Sequence, residues 1–504
     1  MASTMQDTAT KEQLNSNIEQ LPLPPGPRGL PYLGNALEVR RDPLGFLQEL
    51  QRTYGDIVMI RVMRMSIVLL FRPEYMRYVL VEHPHQFSNR GLGPNEANAA
   101  NEGLLTIDGE KHRQQRRAVQ PAFHKKVVES YASTITDFTQ ELFKTWHIGD
   151  TVNVTQAMQE LTLRIACQCL FSIDLSQQLR SLGDAFNNMI ASENNMIEDL
   201  LNIHIDAPFT SYGKRMAAAR QIDTLIYTLL AERRANPSQH NDVLSMLMTA
   251  EDGETPGMKL TDKQIHDHLL TFIAAGHETT ANALSWTLYL LSEHPEVRAK
   301  LQEEITSVLG TDPARVPTVE DLAKMPYLDW VLNESLRLYP PAWMQMRRVV
   351  EDFELDGKRI PKNTMVMISQ WVIHRRPDLW ERPDAFWPER WDPVNKQHIV
   401  PGAYFPFGAG SRICIGMPLA QLEAKLVLTM YLQRYIPRTV PGYQPGKRAV
   451  ITLRPRNDLR MILMPTASNG SASDWVRVTN IPNATLQERK GCLTALLSLF
   501  GFKP

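Results

Sequence analysis

The chain of 504 residues is predicted to be mainly α-helical with minor β structure. Three observations predict it. From about residue 110 to 345, apolar residues recur at helical spacing, in segments separated by short breakers such as Pro121, Gly183, Pro208 and Pro295. Runs of β-branched and apolar residues are few and brief, and they fall near the N-terminus and in the C-terminal half. A hydrophobic content of 43% supplies a large core, and the length fits two or three ordinary domains or one large one.

Taken in order, residues 1–20 are polar and are expected to form a disordered tail. They hold no apolar stretch suited to a signal peptide or a membrane span, so a cytoplasmic protein without a transmembrane segment is expected. The proline run at 21–28 is a stiff, extended entry to the domain. Residues 56–63 and 66–71 read as paired strands, and short strands return at 358–361, 364–368 and 451–462. Within the helical region, Thr261 and Gln264 form a capping-box start, and the pattern runs to Ser292, where Pro295 follows. Residues 466–485 have linker character. In the tail 486–504, Leu493, Leu496, Leu497 and Phe500 give a short helix one apolar face, suited to docking on the protein itself or to a peripheral membrane or partner contact.

The charge is balanced, 54 basic against 55 acidic residues, which argues against nucleic acid as a partner. Four cysteines, Cys167, Cys169, Cys414 and Cys492, are too few for a secreted disulfide framework and suit a reducing compartment. Cys167 and Cys169 lie in an apolar run and are read as core, against the alternative of half a metal site.

Cys414 is different. It sits in Phe407-Gly-Ala-Gly-Ser-Arg412-Ile-Cys414-Ile-Gly416, a loop suited to presenting a thiolate to a large planar cofactor. Arg412 offers a charged fork for an anionic group, Phe407 a flat apolar shield, and the helix beginning at Met417 can turn N–H groups toward the sulfur. In the predicted long helix, Ala274-Ala-Gly276-His-Glu278-Thr279-Thr280 carries helix-weakening residues. Phe272, Ala275, Gly276, Thr279 and Ala283 share one face, a groove for a flat cofactor, with Glu278 and Thr279 beside it as acid and alcohol. A zinc-protease reading of His277-Glu278 fails, because the fifth position is Ala281.

Glu334 and Arg337 lie three apart in an apolar helix, with Arg390 of Pro-Glu-Arg390-Trp391 as a candidate further partner. His112 and Arg116, four apart, project from one helix face toward cofactor carboxylates, or else form a solvated basic face with Lys111, Arg113 and Arg117.

The loop resembles the heme-binding signature of the cytochrome P450 superfamily, Phe-x-x-Gly-x-Arg-x-Cys-x-Gly, with Phe407, Gly410, Arg412, Cys414 and Gly416 at its five fixed positions. The helix string resembles Ala-Gly-x-Glu-Thr-Thr, and Glu334, Arg337 and Arg390 resemble a Glu-x-x-Arg with Pro-Glu-Arg-Phe, Trp391 replacing Phe. The resemblance covers about residues 20–465 and implies one prism-shaped domain over 21–465. It implies heme b (iron protoporphyrin IX) with Cys414 as axial thiolate, a proton relay through Glu278 and Thr279, and a structural role for the ion triad. His112, Arg116 and Arg347 are implied on the heme propionates, Arg348 being the alternative to Arg347. The implied activity is O₂-dependent insertion of one oxygen atom into a hydrophobic small molecule. Electrons are expected from a separate ferredoxin, flavodoxin or flavoprotein reductase, since no Gly-x-Gly-x-x-Gly signature accompanies the chain. The alternatives are a heme-thiolate peroxygenase or isomerase, and a non-enzymatic heme sensor. Candidate pocket walls are 87–105, 189–209 and 342–346, and their content suggests a roomy apolar site for a lipid, terpenoid or polyketide-like molecule.

Overall fold

The computed structural model describes residues 18–89, 102–173, 206–207, 210–236, 242–249, 251–252 and 255–466. The expected tail before residue 18, the linker and apolar tail beyond 466, and most of the 87–105 and 189–209 walls lie outside them. Strands β1 (Ile57–Val62) and β2 (Met65–Leu70) form the predicted N-terminal hairpin, with Ile57 opposite Leu70. Then come β3 (Phe87–Ser88), helix α1 (Gly109–Val119), β4 (Thr151–Asn153), α2 (Val154–Phe171), α3 (Ser211–Ala235), α4 (Asp262–Glu293), α5 (Pro295–Leu309) and α6 (Pro326–Leu338). The C-terminal part adds β5 (Gln345–Val349), β6 (Met365–Ile368), α7 (Met417–Arg434), β7 (Tyr435–Thr439), β8 (Lys447–Ala449), β9 (Leu453–Pro455) and β10 (Arg460–Pro465).

A five-stranded sheet runs β1-β2-β6-β5-β3, with β6 parallel to β2 and antiparallel to β5. A three-stranded sheet runs β7-β10-β4, and β8 with β9 makes a separate hairpin. Strand β5 escapes sequence reading because Gln345, Arg347 and Arg348 break its apolar pattern, and pairing on both sides makes it a strand. Short strands expected over 451–462 are present as β9 and β10, separated by the polar Arg456, Asn457 and Asp458.

Helix α4 organises the rest. Its 32 residues span about 48 Å at the usual helical rise. The Thr261 hydroxyl accepts from Gln264 N–H while the Gln264 side chain accepts from Thr261 N–H, the expected capping box. Pro295 opens α5, and α4 ends at Glu293. Packed against α2, α3 and α7, helix α4 is buried along most of its length, polar residues such as Asp267, His277, Asn282 and Thr287 included. Cys167 and Cys169 are buried on α2 in this core, as the sequence implies, and burial pushes the Cys167 thiol up to about 12.

The ion triad is buried as expected. Arg337 forms two bonds to Glu334, 2.9 and 2.7 Å, and spends its remaining donors on the carbonyls of His374, Pro383 and Ala385. Arg390 reaches Glu334 at 3.3 Å. Trp391, the departure from the resembled motif, donates its indole N–H to Glu334 at 3.0 Å, a bond that phenylalanine lacks. A buried pair with its donors and acceptors this fully used is tolerated where a half-satisfied one is not.

Candidate active site at the Cys414 loop

The loop is shaped by close backbone approaches. Gly410 has φ +70°, and a Cβ there would stand 1.9 Å from the Leu80 carbonyl oxygen; Gly408, at φ +76°, would meet the Gln345 amide at 2.7 Å. At Gly410 only glycine fits both the left-handed backbone and the space, while at Gly408 the positive φ favours glycine and the Gln345 side chain is free to turn aside. The Cys414 N–H donates to the Phe407 carbonyl at 2.9 Å, closing the loop, and Ile413 N–H donates to Gly410 at 3.1 Å. Helix α7 then starts at Met417 with a proline in its first turn.

The Cys414 sulfur is walled by protein yet open to space. Burial pushes its thiol up, while N–H groups of Gly416 and Met417 and the charge of Arg116 pull the other way. The expected N–H donors at the start of α7 are therefore in place. Arg116 also donates to the Ile413 carbonyl at 2.8 Å, tying α1 to the loop.

Along α1, His112 and Arg116 face inward, while Arg113 and Arg117 are exposed, which separates an inner face from the solvated one. The expected basic surface is partly neutralised, because Lys111 pairs with Glu102 and Arg113 with Glu110. Arg347 joins the inner group. Burial holds its guanidinium down to about 10, with Arg412 adding to the effect, and burial with Arg412, Arg116 and Arg347 pushes His112 down to about 4. Strand alternation turns Arg348 to the opposite face from Arg347, so the structure gathers Arg347 with the other cations. Arg412 bonds the carbonyls of Leu104 and Ile107 and the Asp108 carboxylate, the last at 2.7 Å. Three guanidiniums and a neutral imidazole against the one carboxylate of Asp108 leave a net positive site, which suits a cofactor bearing two carboxylates.

The middle of α4 is where its burial lapses. Ala275 is exposed, Gly276 and Thr279 are half-buried, and a Cβ on Gly276 would meet nothing within 4 Å. Phe272 and Ala283, expected in the same groove, are buried and bound it. Thr279 Oγ1 donates to the Ala275 carbonyl at 2.7 Å, which leaves its lone pairs for the open face. Glu278 is placed differently from the sequence reading. One residue along a helix turns the side chain by about 100°, and the Glu278 carboxylate is buried against the β8–β9 hairpin. There it accepts from Thr452 Oγ1 at 2.8 Å and faces Arg454 at 3.5 Å. Sequence reading singled out neither Thr452, in the turn of the hairpin, nor Arg454 on β9.

A cysteine loop with inward cations, set in a helical domain beside an opened central helix, fits the scaffold of a heme-thiolate oxygenase. The cytochrome P450 family model matches residues 24–457, and the chain belongs to this family. It is 35% identical over 425 residues to cyclooctat-9-en-7-ol 5-monooxygenase of Streptomyces melanosporofaciens, covering 82% of this chain and 90% of that one. It is 31% identical over 441 residues to pentalenene oxygenase of Streptomyces avermitilis, covering 87% and 96%. The solved structure of retinoic acid bound cyanobacterial CYP120A1 matches with a TM-score of 0.80 at 28% identity, over 89% of this chain and all of that one. The expected helical fold with small sheets is thus the P450 fold, and the chain is a cytochrome P450 monooxygenase with a cysteine-ligated heme. Among the described residues, no helix is long and apolar enough to cross a membrane.

Proposed function

We propose that this monooxygenase inserts one oxygen atom from O₂ into an unsaturated, largely hydrocarbon substrate of terpenoid type, with electrons from a separate protein donor. The observation that carries the site assignment is the Cys414 sulfur, held by Gly416 and Met417 N–H groups and open to space beside a cluster of inward cations. Support for the substrate class comes from the relatives' names, which point to cyclooctat-9-en-7-ol and pentalenene, and from the retinoic acid of the structural neighbour.

In this reading Cys414 would ligate the heme iron. His112, Arg116, Arg347 and Arg412 would take the two heme carboxylates, and Phe407 would shield the sulfur. The bound heme supplies the redox chemistry of dioxygen, favoured by electron density from the thiolate. The remaining work belongs to side chains. Thr279 Oγ1 holds a hydrogen-bonding position on the open face, and Glu278, one residue earlier, is the acid that resupplies a proton there. The protein is cytoplasmic, and the segments 87–105, 189–209 and 342–346 contribute to the pocket wall.

The test is incubation with terpene hydrocarbons and alcohols under ¹⁸O₂, with a ferredoxin, its reductase and NADPH. One labelled oxygen per product molecule is expected. Turnover with hydrogen peroxide alone and none with NADPH and O₂ would support the peroxygenase reading instead.

A further inference from the structure

His266, near the start of α4, has a carboxylate oxygen at each ring nitrogen. Nε2 lies 2.9 Å from Asp223 Oδ1 on α3, and Nδ1 lies 2.9 Å from Asp267 Oδ1. A neutral imidazole carries a single N–H, so both contacts are hydrogen bonds only when the ring is doubly protonated and cationic. The ring is buried and stacked on Tyr227 of α3, with 4.7 Å between centroids. Asp267 spends its other oxygen on the loop before α1: Oδ2 accepts from the Glu102 backbone N–H at 2.9 Å and from Lys263 Nζ at 2.8 Å. That loop lies directly on α4, because a Cβ on Gly103 would stand 2.4 Å from Thr271 Oγ1 and 2.7 Å from the Asp267 carbonyl oxygen. Thr271 is one turn before Ala275, where the exposed stretch of α4 begins. Arg412 holds the same loop from the cysteine side, through the carbonyls of Leu104 and Ile107.

The charges around the ring match its cationic form. They are Asp223 from α3, Lys263 and Asp267 from α4, Glu102 from the loop, and Lys111 from α1, which pairs with Glu102 at 3.1 Å. Burial pushes the Tyr227 phenol up, so it stays neutral; Asp262 is paired with Arg234; and residues 243–249, packed on α4, bring no titratable side chain. With His266 protonated, three cations meet three carboxylates. Without that proton one carboxylate is unmatched, and an imidazole lone pair faces a carboxylate oxygen.

We propose that protonated His266 is a strap holding α3 and the loop 102–107 on α4, and that loss of its proton slackens this side of the pocket and speeds ligand passage. This rests on the reading of 102–105 as pocket wall. The strap is present at low pH and lost as pH rises, over the interval of about pH 5–8 in which histidine charge changes usually fall. His266 is a positioning residue, acting through Asp223 and Asp267.

The test uses the heme-loaded full chain and 1-benzyl-1,2,4-triazole, a ligand of ferric heme that stays uncharged throughout that interval. Its association and dissociation rates are read by stopped-flow absorbance at stepped pH. In wild type the dissociation rate is expected to rise by about tenfold from the acid to the alkaline end, the scale of one hydrogen bond to a charged group. His266→Gln is expected to abolish that rise and to hold the fast rate at every pH. Asp223→Ala, which cuts the strap on the α3 side, gives the same flat, fast profile and serves if His266→Gln fails to fold. Amide exchange in α3 and in 102–107, compared at the acid end, is expected to quicken in both variants. Rate profiles of both variants that coincide with wild type, together with unchanged exchange, overturn the proposal. Quickened exchange with triazole rates unmoved at every pH shows a strap without bearing on the pocket, and so sinks the wall assignment of 102–105 instead.

Discussion

The backbone N–H of Cys414 donates to the Phe407 carbonyl at 2.9 Å, so the residue proposed as metal ligand closes the loop that begins at its aromatic shield. The sulfur's position follows from backbone bonding and from two glycines, with the cations arriving from α1 and β5. Ligand geometry thus depends on residues that never touch the metal.

Gly410→Ala tests that dependence. A Cβ 1.9 Å from the Leu80 carbonyl oxygen forces the loop or the Tyr78–Glu82 turn to move. The expected result is a folded protein with lowered heme content, read from the ratio of heme to protein absorbance. Full occupancy with a normal spectrum would show that the loop tolerates the displacement.

Removing one partner of the buried triad is costlier than removing a surface pair. Glu334→Gln leaves Arg337 buried with its charge unmatched, and a loss of about 3–5 kcal/mol is expected in denaturant unfolding. Trp391→Phe, which restores the residue of the resembled motif, deletes the 3.0 Å bond to Glu334 and is expected to cost about 1.5–3 kcal/mol. Equal stability of wild type and Trp391→Phe would mean the indole bond is offset by better packing.

Much of this was legible beforehand, for identifiable reasons. The capping box at Thr261 and Gln264, the spacing of His112 and Arg116, and the cysteine loop are local patterns, and local patterns survive into the structure. What depended on long-range pairing did not show. Strand β5 reads as polar until β6 and β3 pair with it, and only that pairing separates Arg347 from Arg348. Glu278 and Thr279 are neighbours in sequence, which suggested one shared groove; the helix turns them apart, and the hairpin that receives Glu278 is about 170 residues away, Thr452 being at a separation of 174.

His112 ties the cation cluster to acid stability. Its imidazole, pushed down to about 4 by burial and by Arg412, Arg116 and Arg347, is neutral in the fold and binds a proton on unfolding at any pH between there and the usual value of 6.5; Asp108 opposes the shift. The unfolded chain then binds more protons, so stability falls as pH drops from about 6.5 toward 4. In the heme-free chain, the stability difference between wild type and His112→Gln is expected to decline across that window and stay flat above it, measured by urea unfolding at stepped pH. A constant difference would assign the acid sensitivity to other groups.

Thr279→Ala removes the hydroxyl from the open face of α4 without disturbing the Glu278 contacts. With an oxidisable substrate, NADPH consumption should continue while product per NADPH falls by about 10-fold or more, the usual scale of a lost proton-transfer group. Unchanged coupling would remove Thr279 from proton handling.

The most direct measurement is the carbon monoxide difference spectrum of the dithionite-reduced protein, wild type against Cys414→Ala. A thiolate-ligated heme gives a strongly red-shifted Soret band, expected in wild type and absent from Cys414→Ala. The same band in both proteins, or none in folded, heme-loaded wild type, would contradict the assignment of Cys414 as the ligand.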